Sequence, residues 1–300
     1  MHAIRLSAAL VAVGMSLAAV PAGAAVLGRT TTGELPLKSL DVIEFAPDGT
    51  LLVGDGLGAQ VLAVATTESA PAESLPARIE NFRARVGERL GTTADGVELL
   101  DLAVHPRSGR VFVAVRHQAE KAYLILVLDG SGHLSEFPLS RVTYARVALP
   151  SSESAAVRKV ADLAWAEDRL VAAVATNEEF ASKIFVAPGP LDHDARGGLF
   201  SAETYHVSHG RWETRAPMSV LMPYRESGRT FVVGAFACTP VVKYPLDALT
   251  PDALVKGSSM IELGSGNRPL DMFAYSKDGR EYVLASTFRF HHEKRPFGPS

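Results

Sequence analysis

The sequence is short of the residues that mark familiar chemistries. Its 300 residues contain one cysteine, Cys238, which excludes a disulfide within the chain, a Cys-x-x-Cys metal or redox motif and a covalent haem attachment site. Charged residues make up 21% and the formal net charge is −3. Lys and Arg are scattered, so the clustered basic footprint of a nucleic-acid surface is missing. No nucleophile elbow, phosphate loop, dinucleotide fingerprint or kinase motif occurs, and the Gly-rich stretch Gly54–Gly58 is not followed by a helix. Beyond Val20 no apolar run reaches membrane-spanning length.

What is present begins with an address. Arg5 precedes an unbroken run of apolar and small residues, Leu6–Val20, and then Pro21-Ala22-Gly23-Ala24, in which Ala22 and Ala24 form an A-x-A cleavage pattern. That is the build of a secretory signal peptide. Residues 1–24 are expected to be removed, leaving 25–300 as a single exported domain, periplasmic or secreted, monomeric and without a membrane span. In an oxidising compartment Cys238 is either a small buried hydrophobe or a thiol with a task as metal ligand, redox contact or intermolecular link.

The mature chain repeats. Ser39–Val64 reads as strand, Pro-Asp-Gly turn, strand, Gly-rich corner, strand, the sequence form of an antiparallel meander. Similar units follow at Leu99–Val115, Val160–Ala175, Met218–Ala235 and Pro269–Ser286. Asp41 precedes Gly49 by eight residues, as Asp101 precedes Gly109 and Asp271 precedes Gly279; Asp162 holds the same place in the third unit. The interval is roughly 50–60 residues, and self-similarity at that period built from hairpins implies a β-propeller. The expectation is an all-β fold of about five to seven blades. Residues 77–90 place Ile79, Phe82, Val86 and Leu90 on one stripe, which predicts a short inserted helix. The last unit leaves too few residues for two further strands, so the C-terminal blade reads as incomplete, and Val26–Leu37 is expected to close the ring as its outer strand.

In a propeller the start of each first strand and the end of each second strand share a rim. This rim would collect Asp41, Asp101, Asp162 and Asp271 with Asp55, His117, Asn177 and Cys238, a concave mouth with convergent polar groups suited to a ligand. An Asp at the head of a strand also serves simply to accept backbone N–H bonds. A second constellation, His206, His209 and Glu213, has the side-chain types of a divalent-metal site, for calcium or a transition metal, although its H-x2-H-x3-E spacing lacks the helical register of H-E-x-x-H.

Four stretches carry a resemblance: Asn177–Lys183, His206–Tyr224, Cys238–Lys243, and Glu262-Leu263 with Asn267–Met272. They resemble a family of exported bacterial β-propeller proteins to which no activity is attached. LLVGDGLGAQVLAV is similar to NHL-type repeats, which occur in binding scaffolds and in calcium-dependent lactonases. Phe288–Ser300 departs from that pattern. The reading that follows is a propeller binding a small molecule or another exported protein at the polar mouth of its channel. The alternatives are a metal-dependent hydrolase of lactonase type and a redox-associated propeller docking to a quinone or haem enzyme.

Overall fold

The computed structural model describes residues 25–67, 78–206, 210–213, 216–237, 240–250, 255–264 and 267–289. The expected signal peptide, His209 and Cys238 lie outside them. No helix among the described residues is long and apolar enough to cross a membrane.

Runs rich in Val, Leu, Ile and Ala, broken by Pro-Asp-Gly and Gly-containing turns, fold into five blade sheets, antiparallel except where Ala195–Arg196 pairs parallel to Val142–Ala148, and a separate two-stranded ribbon joins Tyr205–His206 to Arg211–Trp212. Blade I contains Val42–Phe45, Leu51–Asp55, Gln60–Val64 and Val142–Ala148. Blade II is Val97–Val104, Val111–His117, Ala122–Leu128 and Leu134–Phe137. Blade III is Val157–Ala166, Arg169–Thr176, Ser182–Pro188 and Gly198–Ser201; blade IV is Met218–Glu226, Arg229–Phe236, Pro240–Pro245 and Ser258–Glu262. Blade V has two strands, Asn267–Lys277 and Arg280–Arg289. Both faces of the inner blades are apolar, and each face packs on a neighbour, as the shared cores show. Ile43, Leu51 and Val53 of blade I pack with Ala103, Phe112 and Ile125 of blade II. Leu52 and Val61 of blade I pack with Leu163, Leu170 and Phe185 of blade III. Ala173 and Ile184 of blade III meet Leu221 and Val232 of blade IV, and Met222 and Val233 of blade IV meet Met272 of blade V. The order around the axis is therefore II, I, III, IV, V. This is an all-β propeller architecture.

The order differs from that of the chain because blade II is nested within blade I. The chain leaves the third strand of blade I at Val64, builds blade II, and returns to add Val142–Ala148 as the fourth strand, antiparallel to Gln60–Val64. Ala65 N donates to Thr143 O at 2.9 Å, so the exit and the return lie side by side. Thr31–Gly33 pairs with the outer edge of this same sheet, Thr31 opposite Tyr144. This corrects the expectation that the N-terminal segment completes the last blade. Its position is fixed locally: Val26 N donates to Asp48 Oδ2 at 3.0 Å, and Leu35 N to Leu139 O at 2.8 Å.

The inserted helix, α1 (Phe82–Arg89), covers the outward face of blade II. Val86 is buried against Val111, Val113, Val115 and Leu126, with Ile79, Phe82 and Leu90 at the margin of that cluster. Arg83, Arg85 and Arg89 donate to the backbone oxygens of Val97, Gly132 and Leu134. A helix thus stands where another blade would pack. Close approach of two inner strands elsewhere depends on Gly54, where a Cβ would lie 2.7 Å from Val42 Cγ1 and 2.8 Å from Val160 Cγ1.

Candidate functional site

The first strands of all five blades border one cavity of about 520 Å³. Its polar walls are Glu44, Asp162 and Asp271; its apolar walls include Phe45, Trp165, Met222 and Phe273. Pro47 and Pro106, in the turns after the first strands of blades I and II, place it at the end of the channel where first strands turn into second strands.

The acidic residues stand there for a structural reason first. Asp101 of blade II accepts the N–H of Ile43 in blade I at 2.8 Å, Asp41 of blade I accepts that of Val160 in blade III at 3.0 Å, and Asp162 of blade III accepts that of Leu221 in blade IV at 2.7 Å. Each carboxylate ties its blade to the next one around the axis. Such ionised or partly ionised acceptors are worth about 1.5–3 kcal/mol each when the donor is buried. The first strands of blades II, III, IV and V all bulge just before this position, at Leu99/Asp101, Val160/Asp162, Met218/Val220 and Pro269/Asp271. Blade IV carries Val220 there and makes no such tie. Asp271 in blade V accepts from its own neighbour, Met272 N, at 2.6 Å.

Pairing register also exposes an offset that spacing concealed. Asp101, Asp162 and Asp271 lie opposite Ala114, Ala173 and Ser286, the place that Val42 occupies opposite Gly54 in blade I. Asp41 is one residue out of step, and a one-residue step in a strand turns a side chain to the other face. It reaches instead for Gly56 N and Val160 N. The acidic residue that blade I sends to the cavity is Glu44, two positions beyond Val42 and on its face. The signal for it was present: one Glu in an otherwise apolar strand, VIEF.

Burial governs the acid–base behaviour. It pushes Glu44 up to about 7, opposed by the Phe45 N–H bond and reinforced by the charges of Asp101 and Asp271. Burial also raises Asp101 to about 6, against its bonds from Ile43 and Leu102 N–H. Asp162, half-buried at the cavity wall but ringed by protein, is held well above the usual carboxylate range by the same cause, with Asp101 and Glu44 adding repulsion. Asp41 is raised more modestly by burial. Burial first and mutual repulsion second disfavour the charged forms, so near neutral pH the set carries fewer negative charges than carboxyls.

The cavity lies at the opposite end of the channel from the mouth that the sequence predicts, and Asp41, Asp55, His117 and Asn177 do not line it. Asp55 is fully buried and accepts from Ser39 N, Lys38 N, Gly58 N, Ser39 Oγ and Gln60 Nε2 at 2.7–2.9 Å, which knots the Gly-rich corner of blade I. His117 is buried and accepts Glu120 N through Nδ1 at 3.3 Å. Asn177 accepts Ala156 N at 2.7 Å. Each closes a turn of its own blade. The physical reason is common to all three: backbone N–H groups at tight corners need acceptors, and these side chains are the nearest.

Of the metal candidates, His206 and Glu213 do meet: Nδ1 is 3.5 Å from Glu213 Oε2, and His206 is buried. Glu262, which the spacing did not indicate, lies 3.3 Å from Nε2. The two carboxylates face opposite edges of one imidazole and so do not converge on a common point. Among the described residues no group of three His, Cys, Asp or Glu side chains has an arrangement that could hold a metal ion.

No protein-family model and no curated protein matches the sequence. Among solved structures, the chain is similar to Raptor from Chaetomium thermophilum, with a TM-score of 0.33 and 10% identity over 85% of this chain and 20% of that one. The chain therefore spans about a fifth of the Raptor chain. It is also similar to a chain of the mitotic checkpoint complex, with a TM-score of 0.28 and 9% identity over 97% of this chain and 100% of that one. A streptogramin B lyase follows at 0.27 and 11%, over 90% of each chain. The sheets and their order around the axis identify the architecture without these likenesses.

Proposed function

We propose that the chain is an exported binding propeller that takes a small ligand, or a projecting side chain of a partner protein, into the axial cavity. The observation that carries the reading is that five first strands border one space, combining three carboxyls with Phe45, Trp165, Met222 and Phe273. Its volume falls within the range of small-molecule sites, and aromatic walls with a few polar groups are what such sites use. Carboxyls beside aromatic faces select a ligand that donates hydrogen bonds and carries positive charge, such as an amine. A cation would also lower the pKa of Glu44 and Asp162 on binding, so affinity should rise between pH 6 and 8.

Calorimetric titration with a panel of primary and quaternary amines at pH 6 and pH 8 tests this. Saturable binding that strengthens at the higher pH and is lost in Trp165→Ala is the expected result. An absence of binding across the panel, or binding indifferent to Trp165→Ala, would sink the reading. Metal retained through dialysis and lost in His206→Ala would favour the hydrolase alternative instead. Export rests on the Leu6–Val20 run and its A-x-A pattern; N-terminal sequencing should find Ala25 first, and an intact Met1 in protein recovered from the cytoplasm would overturn it.

A further inference from the structure

Two arginines line a second cavity, of about 340 Å³, in the crevice between the outer parts of blades I and II. Arg110 stands immediately before the second strand of blade II. Arg141 stands in the crossover that carries the chain from the fourth strand of blade II to the fourth strand of blade I. Thr67 and Ser135 add hydroxyls, and Val127 and Phe137, which belong to the core shared by the two blades, supply apolar wall. No described lining residue is common to this cavity and the axial one.

The charge here is opposite in sign to that of the axis. Arg141 makes no hydrogen bond or ion pair among the described residues. Glu136 also borders the cavity, but alternation along Leu134–Phe137 turns Ser135 and Phe137 toward blade I and Glu136 to the other face, and it pairs with neither arginine. Arg141 has φ 55°, a left-handed conformation that glycine adopts more easily. What an arginine adds at such a position is its side chain. A guanidinium presents a planar fork of donors that matches a carboxylate, and two of them bordering one space repel each other until an anion sits between them. The volume lies at the small end of the range for ligand sites and admits a body about the size of one aromatic ring. We propose that this cavity binds a small organic carboxylate, with the charged group on Arg141 and Arg110 and the apolar body against Val127 and Phe137. The site is independent of the axial one.

Ligand-observed NMR titration of the full chain with phenylacetate, 3-phenylpropionate, phenylacetamide and sulfate tests this. The two carboxylates should bind with dissociation constants of about 0.1–1 mM, as suits ligands of their size. Phenylacetamide lacks the charge and sulfate lacks the apolar body, so each should bind about tenfold more weakly or not at all. Arg141→Gln and Arg141→Gly should each weaken phenylacetate binding by about tenfold or more, and Arg110→Gln should weaken it too. Arg141→Gly eases the backbone, so its Tm should hold or rise while binding is lost, which damage to the fold cannot produce. Glu136→Gln should leave binding equal or tighter. Carboxylates that do not bind, binding indifferent to Arg141→Gln, or an amide or sulfate that matches phenylacetate overturns the proposal. Loss of phenylacetate binding in Trp165→Ala would place the ligand in the axial cavity and overturn it as well; unchanged binding there, with amine binding lost, is the expected result and keeps the two sites distinct.

Discussion

Replacing Glu44 by Gln should stabilise the protein in mildly alkaline solution. An acid whose pKa is higher in the folded than in the unfolded chain opposes folding once it ionises, and the penalty grows as pH rises from the unfolded value to the folded one. For Glu44 those bounds are 4.5 and about 7. At 1.36 kcal/mol per pKa unit the full penalty above pH 7 is about 3 kcal/mol, and solvent reaching through the cavity reduces it to about 2. Gln keeps the shape and an acceptor for Phe45 N–H without the charge. At roughly 2–4 °C per kcal/mol for a chain near this size, Tm at pH 8 should rise by about 5 °C. The wild type should gain stability as pH falls from 8 toward 5, since Asp101 and Asp162 shift in the same direction as Glu44. The variant should show a shallower slope over that window. Calorimetric melting at pH 8 and pH 5.5 measures both. A Tm that drops at pH 8, or a wild type that loses stability on acidification from 8 to 5.5, would refute the electrostatic account of the channel.

Other outcomes follow from the same geometry. Asp55→Ala strips four N–H donors and a hydroxyl of their acceptor in a buried corner and should cost about 3–5 kcal/mol by urea denaturation at pH 7. Asp101→Ala leaves Ile43 N–H without its acceptor and should cost about 2 kcal/mol, whereas Asp101→Asn, which keeps an oxygen there, should cost less than half of that. Val86→Ala removes the centre of the helix contact on blade II and should lower stability by about 2 kcal/mol. EDTA should leave Tm unchanged, because the carboxylates beside His206 sit on opposite sides of its ring.

Blade hairpins were legible because each carries a local message: an apolar run of strand length, a Pro-Asp-Gly or Gly-bearing turn, and a second run. The helix was legible from Ile79, Phe82, Val86 and Leu90 for the same reason. What lay beyond the sequence was non-local. Nothing within Val142–Ala148 says that it pairs with Gln60–Val64 across the whole of blade II, or that Thr31–Gly33 lies beyond it. The site failed by one residue: counting back from Gly49 selects Asp41, whereas pairing with Gly54 selects Val42 and so brings Glu44 into the channel. Turn length differs by a residue or two among blades, and only the ladder fixes which side chain faces inward. Asp55, His117 and Asn177 share a type with ligand-binding residues, but the corners around them use up their bonding capacity.

The nesting of blade II has an architectural consequence. Since Ala65 and Thr143 are already hydrogen-bonded neighbours, everything between them hangs from adjacent feet, and a tight reverse turn could splice Val64 to Val142 without rerouting the remaining chain. The rotor can thus gain or lose a vane at that terminus by a single insertion or excision, while the sequence I, III, IV, V stays threaded as it is.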